Sequence, residues 1–264
     1  MLDAHRPANL VPPIFFEHPL NERLRVFMRL EFLYNQITYY LRSDNLLNIR
    51  TGITNLLDIL SIITRTDIRL EVLKELDRKI QVMINIKHHP EEDFDRVQGQ
   101  IANLSRLHTD LLIMGPLYLQ PLQNSVFLNT IRHRNTIPGG TCEFDLPYLN
   151  YWLIQPKELR EETTTLWLNA IRPLHESIAE LLWITREGGK ETLEIAKEGL
   201  FNITFKHDAH IQMLRIAAPI NIGCYPEISG SHYRSSIRFV KLSELNQEIS
   251  QAREDIAFNL ILCA

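Results

Sequence analysis

The chain has 264 residues, a formal net charge of −4, 45% hydrophobic residues and 23% charged residues. That much apolar side chain supports a full core, and a general polyanion binder would carry a basic excess that is missing here. Three scattered cysteines, Cys142, Cys224 and Cys263, argue against a disulfide scaffold and have no metal-ligand spacing. Residues 1–13 lack the apolar centre of a secretory signal, and no stretch approaches the ~18 uncharged apolar residues of a membrane span, so a cytoplasmic location is expected.

Ile14-Phe15-Phe16 is short, apolar and flanked by prolines, and is expected to add a strand to a sheet formed elsewhere. From Leu20 the period changes to three and four. Leu20, Leu24, Phe27, Leu30, Tyr34, Ile37 and Leu41 form one stripe, with Asn21 as its cap. A second stripe runs Leu46, Ile49, Ile53, Leu56 or Leu57, Leu60, Ile63. A third follows Thr66, taken as its N-cap, and runs Val72, Leu73, Leu76, Ile80, Met83, with Glu75 and Lys79 as a supporting pair. Pro90 and the acids Glu91, Glu92 and Asp93 suit the start of a fourth helix, whose stripe is Phe94, Val97, Ile101, Leu104, His108, Leu111. Gly115-Pro116 stops it. His108 reads as a core histidine rather than a ligand.

A shorter helix is expected from Ser125 to Arg134, then a turn at Ile137-Pro138-Gly139-Gly140. Cys142, Phe144 and Leu146 alternate with polar residues and predict a short strand, and Pro147 opens a helix through Leu153. The last long stripe runs Leu159, Thr163, Leu166, Ala170, Leu174, Ile178, Leu181, Thr185, with a kink or break expected at Pro173. Gly188-Gly189 closes the helical part.

Beyond Gly199 the period becomes two. Strands are expected at 200–205, 213–217, 236–242 and 256–262, with Pro219, Gly223, Pro226 and Gly230 punctuating the gap. Residues 200–242 carry five lysines and arginines against two acids, a balance of +3 that leaves −7 elsewhere. A basic module on an acidic body suits an acidic partner, and equally describes a solvated sheet face; the residues alone leave both open. His207-Asp208-Ala209-His210 is the one compact group of metal-type ligands and reads as a hairpin turn. P-loop, GxGxxG, GxSxG and HExxH patterns are absent, so no catalytic constellation, metal or cofactor is expected.

Several segments, taken in order, point further: Phe16-Glu17-His18-Pro19-Leu20-Asn21-Glu22; Leu73-Lys74-Glu75-Leu76-Asp77-Arg78; Ile137-Pro138-Gly139-Gly140 before Phe144-Asp145-Leu146-Pro147; and Tyr225-Pro226-Glu227-Ile228-Ser229-Gly230 before Ile237-Arg238-Phe239. This ordered set resembles the ZapD family of bacterial cell-division proteins, from about Ile14 to the end. The resemblance implies a cytoplasmic non-enzyme at the mid-cell division ring. It implies a symmetric dimer that binds the C-terminal tail of the tubulin-like protein FtsZ and bundles its filaments, with no role for nucleic acid or membrane. It also implies partner-binding arginines, which match here as Arg234, Arg238, Arg215, Arg65, Arg132 and Arg134. Two departures stand out: Gln123 to Val126 is uncharged where related sequences carry a basic cluster, and Asn150 stands where a histidine can occur.

The expected architecture is α+β. A mainly helical domain covers 20–190, and an antiparallel β-rich domain covers 199–264, joined by strands from 12–19 and 141–147. The alternative to FtsZ binding is a nucleic-acid-binding module on the same basic sheet, with Tyr233 and Phe239 as stacking residues; no RRM signature accompanies it. A third reading, a metal-dependent enzyme, rests on His207 and His210 alone.

Overall fold

The computed structural model describes residues 13–86, 94–206, 210–218, 223–242 and 248–264. Eight helices and eight strands fall within them: β1 (Ile14–Pro19), α1 (Glu22–Tyr40), α2 (Leu46–Arg65), α3 (Ile68–Ile86), α4 (Phe94–Met114), α5 (Gln120–Gln123), α6 (Val126–Asn135), α7 (Pro147–Leu153), α8 (Lys157–Glu187), β2 (Lys190–Ala196), β3 (Leu200–Thr204), β4 (Met213–Ala218), β5 (Tyr225–Gly230), β6 (Arg234–Leu242), β7 (Ile249–Gln251) and β8 (Ile256–Cys263). This is an α+β chain. It divides into two compact units, one of Val26–Leu182 and one of Met1–Arg25 with Trp183–Ala264. The first turn of α1 and the last of α8 therefore belong to the β-rich unit.

Local chemistry explains the helical unit. The Asn45 side chain accepts from the Leu47 amide at 2.9 Å and Ser125 accepts from Leu128 at 3.3 Å, capping α2 and α6. The N-cap of α3 is Asp67, whose carboxylate accepts from the Leu70 amide at 3.1 Å; the expected cap, Thr66, instead ends α2 in an extended conformation. The acidic start predicted for α4 at Pro90 to Asp93 lies outside the described residues. Ile49, Ile53, Leu56, Leu57, Ile59, Leu60 and Ile63 bury nearly the whole inner surface of α2. By length and composition α2 passes for a membrane span, but half of its most apolar window is buried inside the protein. In α4, Val97, Leu104, Leu107 and Leu111 are buried, while His108 is half-buried and lies 3.2 Å from the Asp77 carboxylate. Glu75, expected beside Lys79, takes the Arg78 guanidinium in a two-pronged contact at 2.6–3.0 Å.

One expectation fails here, and of the kink or break expected at Pro173 the break does not occur. Residues 141–145 are turns, with Cys142 and Asp145 amides bonded back to Gly139 and Cys142 carbonyls at 3.1 and 3.2 Å; no strand from 141–147 joins a sheet. The left-handed Gly139 (φ 70°) and the tight seat of Gly140 curl the chain, and a curled chain cannot supply ladder bonds. α8 runs unbroken through Pro173 rather than splitting in two. The Ser177 hydroxyl donates to the Pro173 carbonyl at 2.8 Å, so the helix carries local side-chain support there.

The β-rich unit holds two antiparallel sheets, ordered β1-β4-β8-β2 and β3-β6-β5, with β7 pairing the end of β6. β1 joins the first sheet as expected, with Phe15 opposite Ala217 and Glu17 opposite Arg215. β2 leads to β3 through Glu198-Gly199, both left-handed at φ 47° and 74°, the conformation a two-residue hairpin turn requires. Leu214, Ile216, Ala218, Ile256, Phe258 and Leu260 of the first sheet share one core with Ile237 and Phe239 of the second. Phe258 meets Phe239 at 5.2 Å and Phe201 at 5.4 Å between ring centres. β2 and β5 were not expected from the sequence. β2 is an edge strand, exposed along most of its length, so its residues show no burial period; Pro226 and the flanking glycines disguise β5 as a loop.

Candidate partner-binding surface

β6 is the central strand of the second sheet, so its register sets the site. The pairings are Thr204 with Arg234, Asn202 with Ser236 and Leu200 with Arg238 on the β3 side. On the β5 side, Ser229 meets Ser236 and Glu227 meets Arg238. Side chains alternate along a strand, so Arg234, Ser236 and Arg238 project together while Ser235, Ile237 and Phe239 face inward. Burial agrees: Arg234 and Arg238 are exposed, and the three inward residues are buried. No bulge interrupts the register between the two arginines, which are therefore four residues and roughly 13 Å apart along the strand.

Arg234 closes a hairpin turn, its carbonyl accepting from the Ser231 amide at 2.9 Å. Beside it lies an open concavity of about 590 Å³, lined by Asn202, Ile203, Thr204, Ser229, Gly230, Ser231, Arg234, Ser235 and Ser236. The lining holds hydroxyls, an amide and one guanidinium, and no carboxylate. Gly230, paired across the strands with Ser235, has no room for a side chain: a β-carbon there would stand 2.1 Å from the Ser235 hydroxyl oxygen. That oxygen is itself buried with no hydrogen-bond partner. Arg234 has no ion-pair partner among the described residues, whereas Arg238 meets Glu227 at 2.5 Å, with the two side chains 51% and 41% exposed. The arrangement offers charge-assisted, forked hydrogen bonding to a carboxylate, with neutral donors around it.

The other expected residues sit elsewhere. Arg215 is in β4, in the first sheet, 17% exposed, and donates to Glu17 at 2.9 Å. Arg186 donates to the same carboxylate at 2.9 Å, and the Arg215 guanidinium also lies 4.6 Å from the Phe15 ring centre. Arg65 ends α2, exposed, and lines an open concavity of about 310 Å³ with Arg69, Pro116 and Tyr118. Arg132 and Arg134 are exposed in the last turn of α6, and Arg134 pairs with Asp145 at 3.3 Å. Asn150 accepts from Arg50, which also donates to the Thr141 carbonyl at 2.9 Å. Of the six arginines, the structure places Arg234 and Arg238 together on one face.

One expectation about rival chemistry also changes, and another falls outside the described residues. Phe239, offered as a base-stacking residue, is fully buried in the core of the β-rich unit, so only Tyr233 remains exposed near the basic face. His207 and Asp208 lie outside the described residues, and His210 is exposed with a left-handed φ of 46°. Among the described residues no three His, Cys, Asp or Glu side chains are grouped as a metal site would need. Sequence reasoning did not single out Glu227 or the Ser229, Ser231 and Ser236 hydroxyls. Alternation across Glu227-Ile228-Ser229 was the available signal, and Pro226 hid it.

The fold and this face together define a two-unit α+β chain that presents a cationic, hydroxyl-lined sheet. A family model described as ZapD, cell division protein, matches residues 28–238. The chain is 36% identical over 255 residues to cell division protein ZapD of Methylococcus capsulatus, covering 95% of this chain and 98% of the relative. It is 32% identical over 254 residues to the ZapD of Aromatoleum aromaticum, covering 96% and 98%. With the ZapD of Yersinia pseudotuberculosis it shares 32% over 256 residues, covering 97% and 100%. The chain belongs to the ZapD family of cell division proteins.

Proposed function

We propose that this division protein binds the C-terminal tail of FtsZ through the outer face of the β3-β6-β5 sheet and, as a symmetric dimer, bundles FtsZ filaments. Its place of action is the cytoplasmic side of the mid-cell division ring, and it works by binding rather than catalysis. The observation that carries the reading is the pair Arg234 and Arg238, projecting from one strand beside a concavity whose lining holds no acid. A guanidinium fork matches a peptide carboxylate, and Ser and Asn side chains supply neutral partners for a peptide backbone. Arg65, Arg132 and Arg134 add cationic character to the helical unit and steer an acidic tail at longer range. Arg215 serves from within the fold, holding β1 to β4 and α8 through Glu17.

One such contact is weak. A symmetric dimer carries two, and filaments crowd many tails, so the second binding event becomes effectively intramolecular, with an avidity gain of ~10²–10⁴ where the geometry allows it. Replacing both Arg234 and Arg238 by Glu is expected to abolish bundling while leaving the dimer intact. Co-sedimentation with FtsZ filaments, with the oligomeric state measured by analytical ultracentrifugation, checks this. Wild-type pelleting by the double variant would move the site elsewhere.

A further inference from the structure

The two arginines of the face are in different states. Arg234 opens onto the concavity, and no acid among the described residues pairs with it. Arg238 is held by Glu227, its direct cross-strand neighbour, at 2.5 Å. The register favours this pairing: Glu227 and Arg238 oppose each other on one face of an antiparallel ladder, where opposite charges attract across the strands. Both side chains are roughly half exposed, so water competes for them and the pair can be exchanged. A ligand carboxylate arriving at Arg238 therefore has to replace an equivalent group that is already tethered there.

We propose that Glu227 is a built-in competitor, a resident carboxylate that sets the affinity of this face and selects for ligands able to displace it. The inference rests on the sheet face being the tail-binding site. It names the ligand more closely: an extended acidic peptide with two carboxylates roughly 13 Å apart, the span of four strand residues. The first carboxylate lodges at the open Arg234. The second, thereby held close, acts at high effective concentration and displaces Glu227 from Arg238. A peptide with a single acid engages Arg234 only. The carboxylate of Glu227 then swings to solvent, where it repels a ligand that is out of register.

The test is a titration of a labelled synthetic FtsZ tail peptide against full-length protein. The set comprises wild type, Arg234→Ala, Arg238→Ala, Glu227→Gln, Glu227→Thr, and Glu227→Gln combined with Arg238→Ala, each checked for an unchanged melting temperature. Thr is included because a β-branched residue suits a strand should Gln perturb it. Glu227→Gln and Glu227→Thr are expected to tighten binding several-fold, and the Gln gain is expected to vanish in the Arg238→Ala background. If Arg234→Ala and Arg238→Ala weaken binding but the Glu227 variants bind no tighter than wild type, Glu227 is not a competitor, and the binding face stands. If neither arginine variant weakens binding, the face itself is wrong and the inference falls with it.

Discussion

Arg234 and Arg238 owe their shared direction to the two-residue period of β6, and their different states to a single neighbour. The same residue-scale chemistry ties Arg215 to Glu17 in the first sheet, apart from the proposed face. Glu17, Arg186 and Arg215 are 18%, 21% and 17% exposed, so two guanidinium groups depend on one partly buried carboxylate. Removing that carboxylate takes from both guanidinium groups the acid they share, a loss that costs about 3 kcal/mol. Glu17→Ala is accordingly expected to lower the urea midpoint of the β-rich unit, with no gain or loss of cooperativity to offset it. Tail-peptide affinity of the folded variant should match wild type. A change in affinity of the folded variant would put Arg215 back in the binding site.

At the scale of elements, helices were legible in the sequence because a one-sided apolar stripe survives wherever a helix packs on a core. Asn21, Ser125, Gly115 and Pro147 marked ends by chemistry that acts within a few residues, and the structure uses all four. Thr66 misled because Asp67 beside it caps as well. The turn at 141–145 misled because Cys142, Phe144 and Leu146 alternate by chance, and backbone curling set by Gly139 and Gly140 overrides a three-residue pattern. In β2, Leu193 and Ile195 alternate with Thr192 and Glu194, but the run is brief and both apolar side chains are exposed on an edge strand, so no core pattern marks it. Half of the proposed site followed the same logic: the arginines could be nominated, while the acid opposite Arg238 depended on a pairing register that spans β5 and β6.

An acid-sensitive joint lies between α1 and α8. The His175 ring stacks on Tyr34 at 3.6 Å, within 10° of parallel, and its Nδ1 is buried without a partner. Burial holds its pKa down at about 4, against an ordinary 6.5, and Glu31 offsets only part of that. Below pH 6.5 the unfolded chain takes up a proton that the folded chain refuses until about 4, so stability falls as pH falls through that window. The loss between pH 7 and pH 5 is about 2 kcal/mol. His18, lowered by burial and by Arg25, adds to it in the same direction. His175→Phe keeps the ring stack and removes the titration; its melting temperature is expected to drop less than that of wild type between those pH values. Parallel slopes would show that another group governs acid stability.

For the whole molecule, charge and architecture divide the labour. The acidic balance lies outside residues 200–242 and the basic excess within them; of those five cations Arg234, Arg238 and Lys241 lie on β6 of the proposed face. The helical unit supplies a packed body in which α2, though apolar enough to pass for a membrane span, is a core element. On the proposed function that body holds two tail-binding faces in a dimer, and bundling follows from bivalency rather than from tight single contacts. The most direct measurement is pelleting of the wild-type protein with filaments of full-length FtsZ and with filaments of FtsZ lacking its C-terminal tail. Co-pelleting and bundling are expected with the first and loss of both with the second; equal pelleting with both filaments would contradict the tail as the ligand.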